Sequence, residues 1–228
     1  LNLEKITVSS SDFGVDFIKL NKMNGISRRI EKKEGKAIKK GDIEKLPTIN
    51  YLKINSVIKQ VDNSITVISE VSYDHLVTET TYDANGNPRR VNKHLFVRGD
   101  VCIFKLNLSG DLVWKLKIPK YQVEEDFLLN TGIIIAQKDN QLLIFHNDHR
   151  DNFLKQEEIL KSMSNSFVLG CLAVSTIDLE TGDFDIKMLT RYNSRKQFIM
   201  PVRDAIQKGR VILPAGSGKK QSLVRIKL

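Results

Sequence analysis

Residues 101–116 read VCIFKLNLSGDLVWKL, and two other stretches repeat the same phrase: VDFIKLNKMNGISRRI at 15–30 and LAVSTIDLETGDFDIKML at 172–189. Aligned on Leu20, Leu106 and Ile177, each stretch has an apolar strand, then Asn21, Asn107 or Asp178. A glycine follows a few residues later (Gly25, Gly110, Gly182), and then a second apolar strand. This is hairpin chemistry. A short Asx side chain closes a local turn by bonding backbone amides, and glycine takes the positive φ that ends the loop.

The segments before each hairpin repeat more loosely. Two strands meet at Asp62-Asn63 before the second copy, at Asp139-Asn140 before the third, and at Lys208-Gly209 before a final SLVRIKL. Apolar residues fall in runs of four to eight, rich in Val, Ile, Leu and Phe, between Asn, Asp, Gly and Ser, so the period is that of strands. Strands are expected at 4–9, 14–21, 26–31, 51–60, 64–71, 101–107, 112–118, 127–137, 141–146, 171–178, 184–192, 198–206, 210–214 and 222–227.

Each unit is therefore four consecutive strands, and Val101-Cys102-Ile103-Phe104 is apolar on both faces, as a sheet stacked between two neighbours requires. Tandem four-stranded antiparallel units are the pattern of β-propeller blades. The expected fold is all-β and propeller-like. It comprises a partial blade at 1–35, blades at 50–121 and 124–193, and a partial blade at 197–228. We expect 101–107 and 171–178 to be middle strands of neighbouring sheets packed face to face.

Asn107-x-x-Gly110-x-x-x-Trp114 resembles the D-x-x-G-x-x-x-W turn of bacterial propeller repeats, although the other two copies lack the tryptophan. Across most of its length the chain resembles β-propeller-repeat proteins of the Bacteroidetes cell-envelope type. That resemblance implies an exported, periplasmic or envelope-associated protein.

The anchors Leu20, Leu106, Ile177 and Ile226 are 86, 71 and 49 residues apart, whereas one blade needs about 40–50. The excess reads as three insertions. Residues 32–49 form a charged connector, and 78–98 form a long loop or extended hairpin with its tip at Asn85-Gly86. Residues 151–168 hold the one expected helix, at about 152–163, with Asp151 or Asn152 capping it. The last two insertions follow the second strand of their units, so they are expected to leave from one end of the molecule, where repeat proteins carry function. Some three and a half blades are counted, and closed propellers have at least about four. A longer native protein with blades before Leu1 is therefore expected.

The 228 residues carry a formal charge of +9. It concentrates at 27–59 (ten Lys/Arg against four Asp/Glu) and at 187–227 (eleven against Asp204). Such stretches either attract an acidic partner or keep edge strands apart. No apolar run approaches the ~20 residues that a membrane-spanning helix needs. Cys102 and Cys171 lie inside apolar runs without metal-type spacing, and read as buried free thiols.

Catalytic motifs are not found. VILPAGSGKKQS ends like a phosphate loop at Gly218-Lys219. Leu213 replaces its first glycine, Lys220 its Ser/Thr, and a strand pattern follows where a helix is required. DANGN at 83–87 lacks the twelfth-position acid of a calcium loop and reads as a turn. HNDHRD at 146–151 offers His146, Asp148, His149 and Asp151 as candidate metal ligands, with only His75 and His94 to join them. The plainer reading is a polar loop leading into the helix. The acids Glu124-Glu125-Asp126 read as a solvated edge, and aromatic partners for nucleic acid are thin beside Arg191, Arg195 and Lys196.

The sequence thus points to an interaction or structural module with no cofactor. Its candidate binding surface comprises Arg89, Arg90, Lys93, His146, His149, Arg150, Arg191, Arg195 and Lys196. The expected partner is a protein or glycan rather than nucleic acid, and open sheet edges favour association between copies. A glycan-active enzyme with its site at one end of the propeller axis is the first alternative. A polyanion binder using the basic C-terminal region is the second.

Overall fold

The computed structural model describes residues 51–125, 131–154, 170–191, 198–199, 205–207, 210–217 and 220–227. The strands expected at 4–9, 14–21 and 26–31, the partial blade at 1–35, and residues 155–163 of the expected helix lie outside them. The described chain is all-β and antiparallel. Strands β1 (Leu52–Lys59), β2 (Ile65–Tyr82), β3 (Pro88–Leu106) and β4 (Leu112–Ile118) form a meander in sequence order, with β5 (Gln122–Glu125) also paired to β3. Strands β6 (Ile134–Lys138), β7 (Gln141–His149), β8 (Gly170–Asp178) and β9 (Phe184–Arg191) form a second meander, and a single helical turn, α1 (Asp151–Leu154), follows β7. In a third sheet, β12 (Arg210–Ser217) is flanked on one edge by β10 (Phe198–Ile199) and β11 (Ala205–Gln207), and on the other by β13 (Lys220–Lys227). No described helix is long and apolar enough to cross a membrane.

Strands β3 and β8 are middle strands of successive four-stranded meanders, as their two-sided apolar character predicts. The two sheets pack face to face. Ile68, Val101, Ile103, Leu116 and Ile118 of the first share one core cluster with Leu142, Ile144 and Ile177 of the second. The alternate residues of the second sheet, including Ile134, Phe145, Leu172 and Val174, form another cluster with Val211 of the third sheet. The middle sheet is thus covered on both faces, and β7 runs Leu-Leu-Ile-Phe instead of alternating with polar residues. Cys102 and Cys171 are both free and buried, and burial pushes the Cys102 thiol up to about 12.

The repeated turns form as their residues dictate. Asn107 Oδ1 accepts the Asp111 amide at 2.8 Å, and Asp178 Oδ1 accepts the amides of Glu180 and Thr181 at 2.8 and 3.0 Å. Gly110 and Gly182 sit at φ of +88° and +79°. Asn63 and Asp139 take positive φ in the two earlier turns, which short polar side chains tolerate. The tips of the first two sheets lie side by side. Asp62 and Lys105 of one and Asp139, Asn140 and Glu180 of the other line a groove of about 550 Å³. Lys105 bridges the sheets there, donating to the Leu179 carbonyl at 3.1 Å and pairing with Asp62 at 3.3 Å.

Trp114 has an inter-sheet role that the repeat comparison does not reveal. Its ring lies against Gly182, where an added Cβ would sit 2.8 Å from Cδ2, whereas a Cβ on Gly110 would meet nothing within 4 Å. Both glycines need the left-handed region, so Gly110→Ala is expected to cost about 1–2 kcal/mol from the backbone alone. Gly182→Ala adds the clash with Trp114, so its unfolding midpoint should fall further than that of Gly110→Ala. Equal losses in urea titrations would show that Trp114 does not press on this turn.

Several boundaries differ from the expectation. Gln122–Glu125 pairs with β3, so these residues belong to the first sheet and not to a unit starting at 124. Glu124 is buried there, contrary to a solvated acidic edge. The strand expected at 198–206 is two short pieces, β10 and β11, both laid along β12.

Candidate functional site

The insertion at 78–98 is an extended hairpin. Strands β2 and β3 stay in register from Ser72–Arg98 to Tyr82–Pro88. Pairing to β1 stops at Val71, and pairing to β5 stops at Leu95. Beyond those points Leu76–Tyr82 and Pro88–His94 pair only with each other among the described residues, forming a bare two-stranded arm. Its tip is closed by Asp83, whose Oδ1 accepts the amides of Asn85 and Asn87, both at 2.9 Å, while Gly86 takes φ +80°. Those bonds, chiefly the one from Asn87, hold the Asp83 carboxyl below its usual range. The sequence reading of DANGN as a turn is met.

The arm holds Arg89, Arg90 and Lys93. Arg89 Nε is 4.0 Å from Asp83, and Arg90 is exposed. Lys93 sits between Glu79 at 3.0 Å and Glu125 at 3.3 Å, and hydrogen bonds to these two carboxylates raise its pKa. The same arm exposes apolar surface, with Leu76 65% and Tyr82 71% accessible. Strands β2 and β7 both run away from the shared hairpin tips, so the arm and α1 emerge from the same end of the stack, as the equivalent positions of the two insertions predict.

The remaining candidates do not join this surface. His146 and His149 are buried, which removes them from any exposed binding face. The reason is that β7 does not stop at 146. It stays paired with β8 through His149–Gly170, so HNDH is the buried end of a strand and not a polar loop. Its polar groups turn to one another. The His149 amide donates to Asp148 Oδ1 at 2.7 Å, Asn152 Nδ2 donates to the same oxygen at 2.8 Å, and the Asp151 amide donates to His149 Nδ1 at 3.2 Å. His146 Nε2 lies 3.5 Å from Asp148 Oδ2 without hydrogen-bond alignment, so neither ring nitrogen has a hydrogen-bond partner among the described residues. The described residues contain no group of three or more His, Cys, Asp or Glu placed to hold a metal ion. Arg150 pairs locally with Asp151 at 3.7 Å, Arg191 ends β9, and Arg195 and Lys196 lie outside the described residues.

Sequence reasoning missed a buried charged joint between the first two sheets. Lys120 is fully enclosed, and its Nζ donates to Glu70 Oε1 at 2.6 Å, to Gln122 Oε1 at 3.0 Å and to the Arg98 carbonyl at 3.3 Å. Gln122 then reaches the second sheet. Its Nε2 donates to the Asn147 carbonyl at 2.6 Å, and its Oε1 also accepts the Gly132 amide at 2.7 Å. The Lys120 amide donates to Asp100 Oδ1 at 3.1 Å. Burial lowers the Lys120 pKa, opposed by the Glu70 charge, and burial raises the Asp100 pKa, opposed by Lys117. These partners come from four separate segments, so no local pattern announces them. The joint is built to hold the sheets in register at the end from which the arm and α1 emerge.

No protein-family model, curated protein or solved structure matches this chain.

Proposed function

We propose that this chain is a non-catalytic interaction module of an exported, envelope-associated protein, built as a β-propeller-like array, and that its β2–β3 arm carries the binding surface. The array is supported by three antiparallel sheets stacked in chain order, the first two with hairpin tips at one end. The observation that carries the functional reading is the bare arm itself. An isolated two-stranded ribbon is marginal in water, yet among the described residues this one extends over seven residue pairs beyond its neighbours, from Leu76–His94 to Tyr82–Pro88. Among the described residues its two outer edges have no ladder partner, and Leu76 and Tyr82 present apolar surface. That combination suits a protein partner that adds an extended segment to a strand edge, with backbone bonds supplying affinity and side chains specificity.

Shortening the arm tests this. Replacing Thr78–Asn92 by Asn-Gly should leave cooperative unfolding and stability within about 1 kcal/mol, because few core contacts cross the removed pairs. A photo-crosslinking residue at Tyr82, introduced in the source organism, should yield one discrete protein adduct. The same probe at Lys187, an exposed residue of β9, should not. A shortened variant that no longer unfolds cooperatively, or a Tyr82 probe with no adduct above the Lys187 background, contradicts the proposal.

A further inference from the structure

A cleft of about 430 Å³ opens between β1 and β2 of the first sheet and the start of β6 in the second. Two ladder interruptions shape it. The β1 register shifts between Ile54 and Ser56, leaving Asn55 without a cross-strand partner. The β2 register shifts between Glu70 and Ser72, setting Val71 against Gly99 and Asp100. Bulges bend strands and re-aim side chains, and they concentrate beside binding and active sites. Here Asn55 Nδ2 reaches Glu70 Oε2 at 3.4 Å on the cleft wall.

Charge then narrows the ligand. Glu70 lines the cleft but is already neutralised by Lys120 from behind, at 2.6 Å. The two cations on the wall, Lys53 and Arg98, have no carboxylate partner among the described residues. Arg98 is held in place through Nη1, which donates to the carbonyls of Val97 at 2.9 Å and Tyr73 at 3.5 Å, so the rest of its fork remains for a ligand. A surplus of positive charge in a partly enclosed site favours an anion. An oriented guanidinium suits a carboxylate in particular, because two parallel N–H bonds match its two oxygens. The other groups call for something other than a bare anion. Glu70 and Asn55 offer acceptors, Ser72 offers a hydroxyl, and Ile133 and Ile135 supply an apolar wall.

We infer that this cleft binds a sugar acid, a ring polyol bearing one carboxylate. The carboxylate meets Arg98 and Lys53, ring hydroxyls bond Glu70, Asn55 and Ser72, and the C–H face of the ring lies against Ile133 and Ile135. The cleft volume lies within the range of about 300–1,000 Å³ typical of small-ligand sites and accommodates one sugar ring. The cleft lies at the base of the arm, where Ser72 pairs with Arg98, and none of its lining residues belongs to the bare part of the arm, Leu76–Tyr82 and Pro88–His94.

Calorimetric titration of the full 228-residue chain with glucuronate, glucose and sulfate provides the test. Glucuronate should bind saturably with a dissociation constant on the order of 1 mM, and glucose and sulfate each at least about tenfold more weakly. Lys53 is exposed, so Lys53→Gln should weaken glucuronate binding by about tenfold while leaving the thermal midpoint unchanged. Arg98→Lys should weaken it more, because a lysine cannot reproduce the fork. Absence of saturable glucuronate binding overturns the inference. So does sulfate binding as tightly as glucuronate, or a Lys53→Gln variant with wild-type affinity.

Discussion

Replacing Lys120 by alanine is expected to destabilise the fold by about 3–5 kcal/mol, the usual result of removing one member of a buried ion pair. The cost comes less from the lost attraction than from what remains. Glu70 is buried, and without the ammonium 2.6 Å away it must either stay charged in a poorly solvating site or take up a proton. Gln122 and the Arg98 carbonyl lose a donor in the same step. Removing both charges with Glu70→Gln/Lys120→Met should cost less than the sum of the single changes, and the non-additivity in urea unfolding should reach about 1–3 kcal/mol. A Lys120→Ala loss below about 1 kcal/mol, the range of exposed ion pairs, would mean that water reaches the joint and that it does not lock the sheets together.

Phe145→Ala is the second large effect. Phe145 is 1% exposed and sits among Ile134, Leu172, Val174 and Val211, where the second and third sheets meet. Removing a buried phenylalanine ring typically costs about 3–5 kcal/mol, combining lost transfer free energy with the cavity left behind. Phe184 offers an internal comparison. It belongs to β9 of the same sheet but is 44% exposed, so Phe184→Ala should cost less than half as much. Similar losses at the two positions would show that the third sheet does not cover Phe145.

The parts of this fold that are legible in the sequence are those set by short-range chemistry. Asn107, Gly110, Asp178 and Gly182 specify their turns within five residues, and the turns form as read. Two-sided apolar strands imply two neighbouring layers, and β7 and β8 have them. What the sequence does not reveal depends on distant partners. The polar run His146–His149 looks like a loop because no apolar residue marks it as strand, yet pairing to β8 carries it into the interior. Lys120 and Glu70 are fifty residues apart, and each looks like an ordinary surface charge until the sheets bring them together. Glu124 reads as solvated for the same reason, and becomes buried once β5 pairs with β3. On the candidate surface, Arg89, Arg90 and Lys93 share one arm because they share one hairpin. His146 and His149 join that surface only if 146–151 is an exposed loop, and the pairing of β7 with β8 through His149–Gly170 buries them instead.

Successive four-stranded units stack face to face in chain order, with β3 of the first unit against the second. Methyl-labelled protein tests this stacking through nuclear Overhauser contacts between Val101, Ile103 or Ile118 on one side and Leu142, Ile144 or Ile177 on the other. The stack predicts cross-sheet methyl contacts throughout this set. It also predicts amide contacts that tie β3 to β2, β4 and β5, and β8 to β7 and β9, but never β3 to β8. Backbone amide contacts joining 101–106 directly to 170–178 in one continuous sheet, or no methyl contact between the two groups, would contradict it.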